Sequence, residues 1–172
     1  MPLPKLYLLS REYRADGIVD VAGAVRGALE HLGLETTILP GASVALTGGS
    51  RGIRHIDTIM AETVRHLASI GARPFIVPAM GSHGGGTADG QRAILASYGI
   101  TEETMGCEIR ASMDVVRVGT TSLGTPVYMD AHAAKADHIG VVNRVKPHTK
   151  LSGEIESGLV KMCMIGLGKR EG

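Results

Sequence analysis

Residues 43–80 read SVALTGGSRGIRHIDTIMAETVRHLASIGARPFIVPAM, and this stretch decides the fold. It starts with a short β-type run, SVALTGG, that ends in glycines. From Ile53 to Ile70, apolar residues recur at the spacing of one helix face, and Gly71 ends the pattern. A second β-type run, RPFIVPAM, follows at 73–80. The stretch therefore predicts a strand, an amphipathic helix and a second strand, which is the repeating unit of a parallel sheet.

The same pattern continues on both sides of this unit. The predicted elements are a helix over 21–32 stopped by Gly33, a helix from Thr87 to about Tyr98, strands at 114–121 and 125–130 around Leu123–Gly124, a short helix at 131–136, a buried strand at 138–145, and a helix opening near Ser152. Alternating strands and helices predict a three-layer α/β fold, with a mostly parallel, Rossmann-like sheet and helices on both faces. We expect the 172 residues to form a single domain.

Composition excludes several classes of function. The net charge of +1 and the presence of one Phe and no Trp argue against a nucleic-acid partner. No apolar run is long enough for a membrane span, and the amino terminus lacks the pattern of a signal peptide. Cys107 and Cys163 are not part of a CxxC or ligand cluster. We therefore expect a reduced, cytoplasmic protein with neither a nucleic-acid nor a membrane partner.

Three loops, at 47–53, 79–87 and 143–149, each follow a predicted strand. In open α/β sheets, ligands bind outside the carboxyl ends of the strands, so these loops would cluster if their strands are neighbours. The first loop opens a helix, where backbone amides and Arg51 could hold an anion. A tight turn with a solvated Arg51 explains the same residues equally well. The loop matches neither the dinucleotide nor the P-loop pattern.

Two histidines lie in the other two loops. His83 sits between Ser82 and three successive glycines, and His148 lies between Pro147 and Thr149. Because histidine titrates near neutral pH, the two could form an acid/base pair. Taken alone, each is better explained as a surface histidine in a flexible loop, and a metal pair would lack a third ligand in the sequence.

Lys161 lies in an otherwise apolar run, 158–168. If it is buried there, desolvation favours its neutral amine, which can act as a nucleophile or as a covalent anchor. Alternatively, its stem lies on apolar surface while the ammonium reaches water. Spacing alone favours this second interpretation.

Together, GSRGI, PAMGSHGGGT and NRVKPHT…GEIESGLVKMCMIGLGK resemble the amino-terminal domain of the lactate racemase family, over residues 40–172. Members of that family use a nickel-pincer nucleotide. The resemblance implies that His83 and His148 are the catalytic histidines and that Lys161 holds the cofactor covalently through a thioamide. It also implies that the loops carrying Ser50, Arg51, Gly84 and Gly85 contact cofactor or substrate.

The implied reaction is racemisation or epimerisation of a 2-hydroxy acid, with hydride passing to the cofactor ring while a histidine takes the hydroxyl proton. The interval between His148 and Lys161 is longer than in the lactate enzymes, and GSHGGG replaces their histidine loop. Both differences suggest a non-lactate substrate.

The nickel-binding histidine of the family is expected beyond Gly172, as is a carboxyl-terminal domain, so this chain alone is expected to be inactive. Two alternatives stay open. One is a non-catalytic α/β domain that binds an anionic small molecule or a partner protein. The other is an iron–sulfur-associated relative with a similar lysine-bearing helix. The lack of a cysteine cluster in this sequence argues against that alternative.

Overall fold

The computed structural model describes residues 7–12, 17–49, 52–145 and 158–172. The helices and strands in these ranges are α1 (Val21–Leu32), β1 (Ser43–Gly48), α2 (Ile56–Ser69), β2 (Arg73–Pro78), α3 (Ala88–Ser97), α4 (Glu102–Met105), β3 (Val115–Thr120), β4 (Pro126–Asp130), β5 (His138–Gly140) and α5 (Leu159–Lys161). Helix α5 continues into a π-helical turn (Met162–Gly166), and the two form the C-terminal helix. Short 3-10 turns lie at Leu34–Thr36, Gly84–Gly86 and Ala133–Lys135.

The central sheet is parallel, with strand order β2-β1-β5. Its register pairs Ser43 of β1 with Arg73 of β2. A parallel bridge between Ile76 and Ile109 extends the sheet beyond β2. Strands β3 and β4 form a separate antiparallel hairpin. The predicted parallel sheet is confirmed, and the two strands predicted around Leu123–Gly124 pair with each other.

Both faces of the central sheet are covered by other elements. Alternate strand residues point to opposite faces, so each face contributes its own set of buried side chains. One face packs on α2 and α3, through Val44, Leu46, Ile76, Met60, Val64 and Leu95. The other face packs on the C-terminal helix and the turn after β4, through Ala45, Phe75, Val77, Ala133, Met162 and Leu167. The three-layer, Rossmann-like α/β fold predicted from the sequence is therefore confirmed.

Helix boundaries follow the predicted capping residues. Helix α1 ends where Gly33 adopts a left-handed φ of 58° and its N–H donates to the carbonyl of Glu30. Helix α3 begins after Thr87, whose hydroxyl accepts a hydrogen bond from the Gly90 amide at 3.1 Å. Helix α2 begins at Ile56 rather than at Ile53, since the intervening His55 has a φ of 57°.

The buried strand predicted at 138–145 is wrong in length and in burial. Strand β5 stops at Gly140 and is partly exposed, with Ile139 36% accessible. Among the strands that the structure describes, β5 lies at the edge of the sheet, with β1 as its one neighbour. Beyond Gly140, the Val142 amide donates to the hydroxyl of Thr47 instead of a backbone carbonyl, which ends the ladder.

Three further predictions have different outcomes. The short helix predicted at 131–136 is a 3-10 turn, Ala133–Lys135. Helix α4 was not predicted, because its four residues are too short to show a period. The helix predicted to open near Ser152 lies outside the described residues. Among the described helices, none is long and apolar enough to cross a membrane.

Glu62 joins α1 to α2. Its side chain is 7% exposed, and its carboxylate lies 3.2 Å from the Arg26 guanidinium of α1. Arg65, one turn further along α2, donates a hydrogen bond to the same carboxylate. This bond is the largest cause that lowers the pKa of Glu62 below its ordinary value of 4.5. Glu62 is therefore an acid-sensitive link between the two helices.

Acidification is expected to weaken the fold through Glu62. Because its folded pKa is depressed, its contribution is complete above 4.5 and is lost as the pH falls through the lower folded value. The Glu62→Gln variant should therefore be less stable near neutral pH and should lose stability less steeply below about pH 4.5. Urea unfolding of both proteins from neutral pH to below about pH 4.5 measures how steeply the free energy of unfolding falls with pH in each. Parallel curves for the two proteins would contradict the link.

Candidate functional site

The three predicted loops leave the same edge of the sheet. Strands β1, β2 and β5 are parallel neighbours, so their carboxyl ends lie side by side. The described parts of the three loops are residues 47–49 and 52–53, residues 79–87 and residues 143–145. Ser50, Arg51 and His148 lie outside the described residues, so the roles assigned to them stay predictions.

The C-terminal helix crosses this edge and contacts all three loops. At its start, the Gly158 carbonyl accepts a hydrogen bond of 2.8 Å from the Asn143 side chain, which follows β5. Met162 packs 3.0 Å from the position that a Cβ on Gly49 would occupy, after β1. The Gly166 carbonyl accepts from the Gly81 amide at 3.2 Å, after β2. The helix that carries Lys161 is thus built onto the candidate site.

The loop that carries His83 requires its glycines. Gly84, Gly85 and Gly86 all have φ between 62° and 69°, a region that residues with a Cβ rarely adopt. Gly84 also packs directly on α3, since a Cβ there would lie 2.5 Å from the backbone of Gly90. The His83 side chain is exposed, whereas its backbone is ordered by a bond from its N–H to the Met80 carbonyl. The loop holds an accessible imidazole on a fixed backbone.

Gly85 lies at the open side of this loop. It is exposed, and a Cβ added to it would meet nothing within 4 Å. Gly84 is partly exposed. A ligand can therefore approach the Gly85 backbone closely, which is compatible with the predicted binding role of the two glycines.

Lys161 is exposed, which contradicts the interpretation in which it is buried among apolar residues. The C-terminal helix buries one stripe, Met162, Gly166 and Leu167, against the sheet. The rest of its apolar run faces outward, and Met164 is 57% exposed. An apolar run on all sides of a helix does not indicate which side is buried. The Lys161 amine is accessible to a ligand at this surface.

The buried lysine is Lys169, which the sequence analysis missed. Its side chain is fully buried, and its ammonium lies 2.5 Å from the Pro78 carbonyl, 3.3 Å from Gln91 Oε1 and 3.1 Å from Asp130 Oδ2. Burial lowers the pKa of the Lys169 amine, and the neighbouring Asp130 carboxylate opposes this shift. A usable signal was present, because Lys169 continues the spacing of Met162 and Gly166 on the buried stripe.

Asp130, at the end of β4, is the charge partner of Lys169. Its Oδ1 atom accepts 2.9 Å hydrogen bonds from the amides of His132 and Ala133. Its Oδ2 atom meets Lys169 as a charge contact without good hydrogen-bond geometry. The carboxylate is therefore fixed by the backbone on one side and neutralised by the ammonium on the other.

A hollow of about 340 Å³ lies at the amino end of β2, away from the loops. Arg73, Cys107 and Arg110 line it. Burial, together with the charges of two nearby glutamates, raises the pKa of Cys107 to about 11, which makes it a poor nucleophile. None of the predicted site residues that the structure describes lies in this hollow.

Metal ligands do not cluster in the described part of the chain. No group of three His, Cys, Asp or Glu side chains there is arranged to hold an ion. Cys107 and Cys163 are both free thiols. Among the described residues, the edge of the sheet offers an exposed lysine and an exposed histidine rather than a complete metal site.

The comparisons with known proteins agree with this architecture. The family described as lactate racemase N-terminal domain matches residues 28–171, well over half of the chain. No curated protein matches the sequence. The match includes the His83 loop, both lysines of the C-terminal helix region and the strands between them. The chain therefore belongs to the lactate racemase N-terminal domain family.

Proposed function

We propose that this chain is the cofactor-binding part of a nickel-pincer-dependent racemase or epimerase of 2-hydroxy acids. Family membership supports the reaction class. The observation that carries the proposal is the placement of two accessible groups, the Lys161 amine and the His83 imidazole, on elements that meet at the carboxyl edge of the sheet. Ligands bind at this edge in open α/β proteins.

Lys161 is a better candidate for the covalent anchor than Lys169, the other lysine near the C-terminal helix. Forming a thioamide requires the amine to reach a group outside the protein, and Lys161 is exposed. Lys169 is enclosed and contacts three acceptors, so attachment there would leave Asp130 as a buried charge without its partner. Exposure therefore supports the assignment that the family resemblance made.

The remaining roles follow from the chemistry of each residue. His83 would exchange the proton of the substrate hydroxyl from one side, and His148 from the other. Ser50, Arg51, Gly84 and Gly85 would contact the cofactor or the substrate carboxylate through hydroxyl, guanidinium and backbone groups. When bound, the nickel-pincer nucleotide would supply the hydride acceptor, which no protein side chain can provide.

The substrate is proposed to be a 2-hydroxy acid other than lactate, because GSHGGG and the long interval between His148 and Lys161 depart from the lactate enzymes. We further expect a cytoplasmic protein, since both cysteines are free thiols and a reducing compartment keeps them so.

Intact-mass spectrometry tests the anchor. The protein co-produced with the cofactor-making enzymes is expected to carry a mass increase that Lys161→Ala abolishes. Lys135→Ala, which changes another exposed lysine, should retain the increase. An unmodified parent protein would remove the cofactor claim and favour the non-catalytic binding domain. An increase that persists in Lys161→Ala would show that the group is attached at another residue. A screen of 2-hydroxy acids for epimerisation, run with the loaded chain together with the carboxyl-terminal domain that the family resemblance implies, then identifies the substrate.

A further inference from the structure

We infer that Lys169, acting through Gln91, is a positioning residue for the His83 loop. The inference rests on the proposed function only for the role of the imidazole. The backbone arrangement that it explains is independent of any cofactor.

The connection runs through one buried side chain. Gln91 of α3 is fully buried, and its Oε1 atom lies 3.3 Å from the Lys169 ammonium. Its Nε2 atom donates to the Gly81 carbonyl at 2.7 Å and to the His83 carbonyl at 3.3 Å. Gln91 thus spans from the lysine to both ends of the turn that precedes the glycines.

Lys169 determines which way the Gln91 amide points. An ammonium group only donates hydrogen bonds, so the amide oxygen must face it. The amide nitrogen then has to face the loop, where two carbonyls accept from it. The reversed amide would place its NH2 group against the ammonium and its oxygen against two carbonyls. The buried charge therefore selects the one orientation that ties down the loop.

The backbone conformation at Lys169 also brings the chain to the His83 loop. Lys169 has a φ of 58°, which is rare for a residue with a side chain. The next residue, Arg170, donates from Nη2 to the Gly86 carbonyl at 2.8 Å. Consecutive residues after the C-terminal helix therefore reach the loop at both of its ends, Lys169 through Gln91 and Arg170 directly.

The Gln91→Glu variant isolates this connection. It keeps an acceptor for Lys169 but replaces the donor to the loop with a carboxylate oxygen. We expect the His83 and Gly86 amides to exchange with solvent at least about 10-fold faster relative to the amides of β1, because the variant loses both hydrogen bonds from Nε2 to the loop. The carbonyl ¹³C shifts of Gly81 and His83 should also move, and nuclear magnetic resonance of the protein without cofactor measures both.

Two further variants make the result specific. Lys169→Met should move the same carbonyl shifts, although Lys169 itself donates to the Pro78 carbonyl and to Gln91 Oε1 rather than to the loop carbonyls. Arg92→Met is the matched control on α3, because Arg92 bonds Glu102 and the Ile109 carbonyl instead. It should lower global stability without changing the ratio of loop exchange to β1 exchange.

An unchanged ratio in Gln91→Glu would overturn the inference. So would unchanged carbonyl shifts in Lys169→Met, or a loop loosened as much by Arg92→Met. Since all these measurements are made without cofactor, a failure of the Lys161 anchor leaves them unaffected.

Discussion

Replacing Lys169 by methionine is expected to lower the free energy of unfolding by about 3–5 kcal/mol. The variant leaves the Asp130 carboxylate fully buried with no opposite charge at 3.1 Å. It also removes the donor to the Pro78 carbonyl. Breaking one side of a buried ion pair costs more than the pair itself contributes, because the remaining charge stays desolvated. Urea unfolding, followed by circular dichroism, measures the loss.

Lys135→Met is the matched control for this experiment. Lys135 is exposed, so the same change of charge and side chain should alter stability by no more than about 0.5 kcal/mol. In the double variant Lys169→Met/Asp130→Asn, neither of the two positions carries a buried charge, and much of the loss should be recovered. If Lys169→Met were as stable as the control Lys135→Met, the Asp130 carboxylate would not depend on Lys169.

The strand–helix–strand unit was predictable because it is local. In β1 and β2 the apolar runs are short and bounded by glycine and proline, and α2 shows its own helical period. Each pattern concerns neighbours within a few positions. Strand β5 was overestimated because its apolar run continues past Gly140, while the ladder partner that would define its end lies on another strand.

Local sequence could not predict which of the two lysines is buried. Lys161 and Lys169 both follow apolar residues, and the run is apolar on all sides of the helix. Which lysine is buried depends on contacts with Gln91 and Asp130, which are distant in sequence. The exposed position of His83 in a glycine loop was predictable from the sequence, whereas the side chains that fix this loop were not.

Replacing Gly90 by alanine is expected to destabilise the protein by about 2–3 kcal/mol, even though alanine favours helices. A Cβ at Gly90 would lie 1.9 Å from the Gly84 carbonyl oxygen, which is backbone and cannot rotate away. Either α3 or the His83 loop would have to move. The amide exchange of the loop should therefore rise together with the loss in the free energy of unfolding.

The control reverses the sign of the effect. Gly27 is an exposed position inside α1, and a Cβ there would meet nothing within 4 Å, so Gly27→Ala should stabilise the protein by about 1 kcal/mol. Gly90→Ala and Gly27→Ala should change the free energy of unfolding in opposite directions only if the His83 loop packs on α3 as closely as in the structure. If Gly90→Ala were also stabilising, the loop would not be docked on the helix. Gln91 would then have no fixed carbonyls to hold, and His83 would lose the backbone support on which its proposed role as an acid/base depends.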